Sequence, residues 1–262
     1  MCVICYKPMG TAFPSKTKIK TMFKNNPNGA GFMYSDGKNV YIKKGFMTLG
    51  EFNAELNKVK AHIEYPFVLH FRITTNGGTS KGLTHPFPLS ADIKELTAVK
   101  ATTNIGIAHN GIIPMTDYAS KGVSDTAEFI RRYMTKLVES ESDLDADTLD
   151  IIEACIDSKM AILTASADVH LIGKFVQDGN GVYYSNTSYQ KKRKTATASK
   201  VYKFDTYDYS GLTNYPTYIP NCDGYCRYCK YELDCIGEWS SINPYAPMNY
   251  GADFTEEENF IY

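Results

Sequence analysis

Charge of one sign, tryptophan and long hydrophobic runs are what this sequence has least of. Its 28 Lys and Arg residues face 29 Asp and Glu residues, a formal net charge of −1, and 22% of the chain is charged. Without an excess of either sign, no whole-protein field attracts nucleic acid or an anionic membrane. Affinity for either would need a local patch. No run of about 18 apolar residues occurs, which excludes a transmembrane helix. The opening Met1-Cys2-Val3-Ile4-Cys5 lacks a basic segment followed by a long apolar one, and it does not read as a secretory signal. A cytoplasmic location is therefore expected. A disulfide framework is then the weaker use of the cysteines, and nucleophile or metal ligand the stronger. One Trp stands against 20 Tyr, and the cysteines number seven, an odd count. With 43% hydrophobic residues over 262 positions, the chain is globular in composition and long enough for one large domain or two small ones.

Short strands and amphipathic helices alternate through the first part. Val3 to Tyr6 is a strand candidate. Gly31 to Tyr34 and Val40 to Ile42 flank Asp36-Gly37, the chemistry of a hairpin turn. Thr48 with Glu51 three residues on makes a capping box, and Phe52, Leu56, Val59 and Ile63 then recur at helical spacing, so 48–63 is a predicted helix. Phe67 to Phe71 is an apolar, parallel-looking strand ending at Arg72, and Ile105 to Ala108 is another, ending at His109-Asn110-Gly111. Asp125 and Glu128 suggest a second capping box, opening a helix whose apolar stripe would be Phe129, Tyr133 and Leu137. Residues 147–156 read as a further helix, 160–164 with 169–172 as a strand pair, and Tyr183-Tyr184 as the end of the sheet region. The composition shifts near residue 187. Residues 188–200, with Lys191-Lys192-Arg193-Lys194, read as a basic linker or loop, and 201–262 as a Cys/Tyr-rich tail.

Cys2 is the sharpest chemical feature. A small residue at this position permits removal of Met1, after which one residue carries both a thiol and a free α-amino group. The amine has an ordinary pKa of about 7.7–8.0 and can take the thiol proton, directly or through water. Nucleophile and base then sit on a single residue. The plain alternative is a small buried hydrophobe in the first strand. Asn110 and Gly111, at a strand end, can offer an amide N–H and a backbone N–H to a developing oxyanion. Arg72 can clamp a carboxylate in bidentate fashion, and Asp125 can pair with an ammonium. Singly, these residues read as a turn, a structural ion pair and a helix cap.

Together they resemble a family. Cys2, His70-Phe71-Arg72 followed by Thr75-Asn76-Gly77, His109-Asn110-Gly111-Ile112, and Ser124-Asp125-Thr126 before a helix are similar in order and spacing to the class II glutamine amidotransferases. The similarity covers 2–187, including Asn26-Pro27-Asn28-Gly29-Ala30-Gly31 and Tyr184-Ser185-Asn186-Thr187. It departs at Val3, where the family has Gly, and at Ile73 to Asn76, where the family carries Trp-Ala-Thr-His. The resemblance implies an α+β fold, the four-layer αββα sandwich of N-terminal-nucleophile hydrolases. It implies that Cys2 attacks the side-chain amide of glutamine and that Asn110 and Gly111 hold the oxyanion. Arg72 and Asp125 would grip the α-carboxylate and α-ammonium, with Thr75, Asn76 and Gly77 in the substrate loop. No cofactor is needed for this chemistry.

The tail cysteines Cys222, Cys226, Cys229 and Cys235 are spaced C-x3-C-x2-C-x5-C, which suits four thiolates around a structural zinc, with an iron–sulfur cluster as the alternative. Cys5 and Cys155 read as packing residues. The 188–262 stretch is too short for a synthase, so ammonia is expected to pass to an acceptor-modifying enzyme in trans. Nucleic acid and membrane are not expected as direct partners. Two rival functions remain at the level of sequence: an amide hydrolase of the same fold acting on another substrate, and a non-enzymatic binding module stabilised by metal.

Overall fold

The computed structural model describes residues 1–74, 79–114 and 123–191. Thr75, Asn76, Gly77, the basic run beyond Lys191 and the four tail cysteines lie outside the described residues.

The chain is mixed α and β. It runs through β1 (Val3–Lys7), α1 (Lys16–Asn25), β2 (Ala30–Ser35), β3 (Val40–Phe46), α2 (Leu49–Asn57), β4 (Phe67–Phe71), β5 (Phe87–Pro88), α3 (Ile93–Thr97), β6 (Lys100–Thr103) and β7 (Ile105–Asn110). It continues through α4 (Asp125–Phe129), a π-helical turn (Ile130–Met134), α5 (Thr135–Leu137), α6 (Ala146–Ile156), β8 (Lys159–Thr164), β9 (Val169–Ile172), β10 (Val176–Gln177) and β11 (Tyr183–Tyr184). Among the described residues the strands form two sheets, in the orders β10-β11-β1-β4-β2-β3-β6 and β5-β7-β8-β9. Every strand pairing in them is antiparallel.

Strand alternation sorts the side chains into three cores. Val3 and Cys5 of β1, Phe32 of β2 and Phe67, Leu69 and Phe71 of β4 pack with Ile19 and Met22 of α1 and Phe52 and Leu56 of α2. Their neighbours Ile4, Met33 and Val68 point the other way, into a core shared with Ala108 of β7 and Ala161 and Leu163 of β8. The opposite side chains of those two strands, Ile107, Met160 and Ile162, pack with Ile130, Met134, Ile152 and Ile156. Burying one such side chain contributes about 1.5–3 kcal/mol. The sheets approach closely because β7 is small on its inner face: a Cβ on Gly106 would sit 2.5 Å from the Met33 sulfur.

Several predicted elements are corrected. Phe67–Phe71 reads as a parallel strand because all five residues are apolar or buried, yet it is antiparallel to both β1 and β2; its burial comes from being covered on both faces. The Thr48 capping box is present, but α2 ends at Asn57, turns follow, and Ile63 is 52% exposed. Pro66 disfavours helix in the approach to β4. The cap of α4 is Ser124, whose hydroxyl accepts from the Ala127 N–H; Asp125 is the first helical residue. Tyr133 and Leu137 are exposed, and the buried stripe continues instead through Ile130, Met134 and Val138, an equally regular apolar series. Cys5 is buried as expected, whereas Cys155 is exposed. No helix among the described residues is long and apolar enough to cross a membrane.

Candidate active site

The register of the central strands brings the chain start to Arg72. Val3 pairs with Phe71, so Cys2 falls beside Arg72 and Ile73. The Cys2 thiol meets the backbone of Ile73: Sγ accepts from the Ile73 N–H at 3.4 Å and donates to the Ile73 carbonyl at 3.5 Å. Burial pushes the thiol pKa up, while the Ile73 N–H, the charged N-terminus and Arg72 pull it down. On the other side, Asn186 Nδ2 donates to the Cys2 carbonyl at 2.6 Å, and Ser185 exchanges two bonds with Ile4: its hydroxyl accepts from the Ile4 N–H at 2.9 Å, and its N–H donates to the Ile4 carbonyl at 3.0 Å. Cys2 is thus on a strand end fixed from both flanks.

Arg72 is 6% exposed. Its backbone pairs with the segment just before β2, with the Arg72 N–H donating to Gly29 O at 2.8 Å and the Asn28 N–H to Arg72 O at 2.9 Å. Its guanidinium is attracted by both the Cys2 thiolate form and Asp125, against the cost of burial. Asp125 accepts from the Ile113 N–H at 2.8 Å and from the Thr126 N–H at 2.8 Å, which orients its carboxylate and ties it to the irregular segment just after Gly111.

One cavity is lined by Cys2, Arg72, Ile73, Gly111, Asp125 and His85, among others. Four of the sequence-predicted residues, from four separate segments, therefore share a surface. Gly111 is required there by space: a Cβ would lie 2.3 Å from Ser158 Cβ and 3.1 Å from His109 Nε2. Asn110 is not on that surface. It is buried, its Nδ2 donates to Ser185 Oγ at 2.9 Å, and its Oδ1 has no hydrogen-bond partner among the described residues.

Three buried histidines stand at the cavity, and two of them, His85 and His109, line it. His109 is held on both nitrogens. Ser158 gives its hydroxyl proton to the Ile156 carbonyl at 2.8 Å, so it accepts from His109 Nε2 at 2.7 Å, and Nδ1 accepts from Thr126 Oγ1 at 2.9 Å. His70 Nε2 donates across the sheets to the His109 carbonyl at 3.0 Å. Burial lowers the pKa of His70 to about 3 and that of His109 to about 4, and pushes His85 well below the ordinary value. All three are neutral at pH 7.

Sequence reasoning gives no role to His85 or Ser158 and meets Ile73 only as a departure from the family's pattern. Ser185 was visible only as part of a turn, and Ser158 carries no local signal. Among the described residues no group of three or more His, Cys, Asp or Glu side chains is placed to hold a metal ion. No family model matches the chain, and neither does any curated protein sequence.

Proposed function

We propose that the chain is an N-terminal-nucleophile glutaminase of the class II glutamine amidotransferase type, built on a four-layer αββα sandwich. The observation that carries this is the single cavity lined by Cys2, Arg72, Gly111 and Asp125. The three separate cores, one inside each helix layer and one between the sheets, support the layer order.

In the active form Met1, 75% exposed, is removed. The freed α-amine of Cys2 takes the thiol proton, and Sγ attacks the side-chain carbonyl carbon of glutamine. Negative charge gathers on the former carbonyl oxygen, where the Gly111 N–H stabilises it. Asn110 is the second assigned donor, but it lies off the cavity surface as placed and would have to move onto that surface to reach the oxyanion. The Ser185 hydroxyl already accepts from Ile4, so its proton is available for Asn110 Oδ1, and turning the amide about its axis would release Nδ2 from Ser185. The α-ammonium returns its proton to the amide nitrogen, the C–N bond breaks, and ammonia leaves. Water then attacks the γ-glutamyl thioester, the Sγ–C bond breaks, and glutamate is released.

Arg72 and Asp125 present opposite charges to one cavity, which suits the α-carboxylate and α-ammonium of a free amino acid better than an internal peptide. Thr75, Asn76 and Gly77 complete the substrate loop, and the ammonia goes to an acceptor-modifying enzyme in trans. The test is covalent trapping: a glutamine analogue carrying a diazoketone should label the processed chain once, at Cys2. Free glutamine in excess should suppress the labelling. Labelling elsewhere, or labelling indifferent to glutamine, refutes the assignment.

A further inference from the structure

Several polar residues that line the cavity take no part in the steps above, His85 among them. His85 is 5% exposed, yet neither of its ring nitrogens has a hydrogen-bond partner among the described residues. The His70 ring lies against it, centroids 4.3 Å apart and planes tilted by 31°. Because the His109 carbonyl can only accept, His70 Nε2 carries the proton, and Nδ1 of the neutral ring is a bare acceptor. That Nδ1 is also buried and unpartnered among the described residues. Neutral His85 adds one donor and one acceptor.

Three buried polar atoms without partners among the described residues carry a desolvation cost that a hydrogen-bonding ligand would relieve. Such places in proteins are filled by a small molecule that both donates and accepts. Arg72 brings positive charge close to His85, which disfavours a cation such as ammonium. The occupant that fits is small, neutral and hydrogen-bonding in both directions.

We infer that His85, with His70 beside it, holds the species exchanged at the acyl-enzyme: ammonia as it leaves and water as it enters. The inference rests on the glutaminase proposal. In acyl transfer the incoming nucleophile takes up the position that the leaving group vacated, so one polar pocket serves both halves. In the first half the Sγ–C bond forms, the C–N bond breaks, and ammonia leaves with the proton returned by the α-ammonium. In the second, a water oxygen bonds to the acyl carbon, the Sγ–C bond breaks, and the water proton returns through the α-amine to the thiolate. His85 orients the neutral species in each half and exchanges no net proton.

The experiment is rapid-quench kinetics on the full processed chain, comparing His85→Leu and His85→Gln with the parent. Ammonia release reports acylation, and intact mass reports the glutamyl-enzyme. His85→Leu should slow thioester hydrolysis relative to acylation by at least about tenfold, which is about 1.4 kcal/mol. The glutamyl-enzyme should accumulate behind a burst of ammonia. His85→Gln, which keeps a donor and an acceptor, should recover most of the hydrolysis. Added ammonia separates the two occupants: if the site also holds the leaving group, its inhibition of the parent should weaken in His85→Leu. Should His85→Leu fail to fold by circular dichroism, His85→Ala is measured with the same expectations. A folded variant whose ratio of hydrolysis to acylation matches the parent overturns the inference alone. Absence of any Cys2-dependent turnover in the parent overturns the glutaminase proposal, and the inference with it.

Discussion

The sulfur of Cys2 is paired with the peptide of Ile73, 3.4 Å from its N–H and 3.5 Å from its carbonyl, at the point where β1 and β4 run off the end of their shared ladder. That pairing places the thiol next to Arg72 by strand register alone. A one-residue slip would turn Cys2 to the opposite face and separate it from Arg72. The bonds from Ser185 and Asn186 to Ile4 and Cys2 hold the register from the other side.

Gly111→Ala should fail for reasons of space. Its Cβ would meet Ser158 Cβ at 2.3 Å. Overpacking of this kind costs about 1–3 kcal/mol, and displacing an oxyanion donor costs about a hundredfold or more in kcat. Chemical denaturation and steady-state turnover would measure the two losses. The double variant Gly111→Ala with Ser158→Gly should regain part of the stability.

Arg72→Lys keeps the charge and loses the planar fork. With a bidentate clamp on the α-carboxylate, kcat/KM for glutamine should fall by about tenfold to a hundredfold, mostly through KM. A glutamine derivative amidated at the α-carboxyl should then be no worse a substrate for the variant than for the parent. If both enzymes discriminate equally against that derivative, Arg72 does not bind the carboxylate.

Stability should fall on acidification below neutrality. A buried neutral histidine has a folded pKa below its unfolded value of about 6.5, so the unfolded chain binds more protons in that window. The stabilisation is complete above about pH 6.5 and is lost progressively as pH falls toward about 3 for His70 and about 4 for His109. Each contributes on the order of 1 kcal/mol per pH unit within its window. Thermal melts from pH 7.5 to 4.5 should show this decline, and His70→Gln should make it shallower. A flat profile contradicts the burial of neutral imidazoles.

Ser185→Ala removes a hydroxyl that serves Ile4 and Asn110 together. The Ile4 N–H is left buried without that partner, a cost of about 1–3 kcal/mol. Acylation should slow by more than the stability loss explains, because Asn110 loses the group that orients its amide. Single-turnover ammonia release against denaturation midpoint separates the two effects.

Much of the framework was legible where the chemistry is local. Asp36-Gly37 announced the β2–β3 hairpin, and Thr48 with Glu51 announced the start of α2. Cys2, Arg72, Gly111 and Asp125 were each suspected from their place at an element end, and they meet in one cavity. The rest depends on contacts between distant segments. Nothing near Ser185 says that it will bond to Ile4, nothing near Ser158 says that it will press on Gly111, and His85 stands out only by its missing partners. Spacing alone does not choose the stripe after Ser124, because Phe129, Tyr133, Leu137 and Ile130, Met134, Val138 recur alike; the core with β7 and β8 takes the second series together with Phe129 and leaves Tyr133 and Leu137 exposed.

Glutamine turnover by the processed chain tests the central claim most directly. Intact mass first establishes that Met1 is absent, and glutamate and ammonia are then measured for the parent and for Cys2→Ala, with and without candidate acceptor enzymes. Equimolar glutamate and ammonia, released by the parent and lost in Cys2→Ala, is the expected result. No release above that of Cys2→Ala under any of these conditions would contradict it.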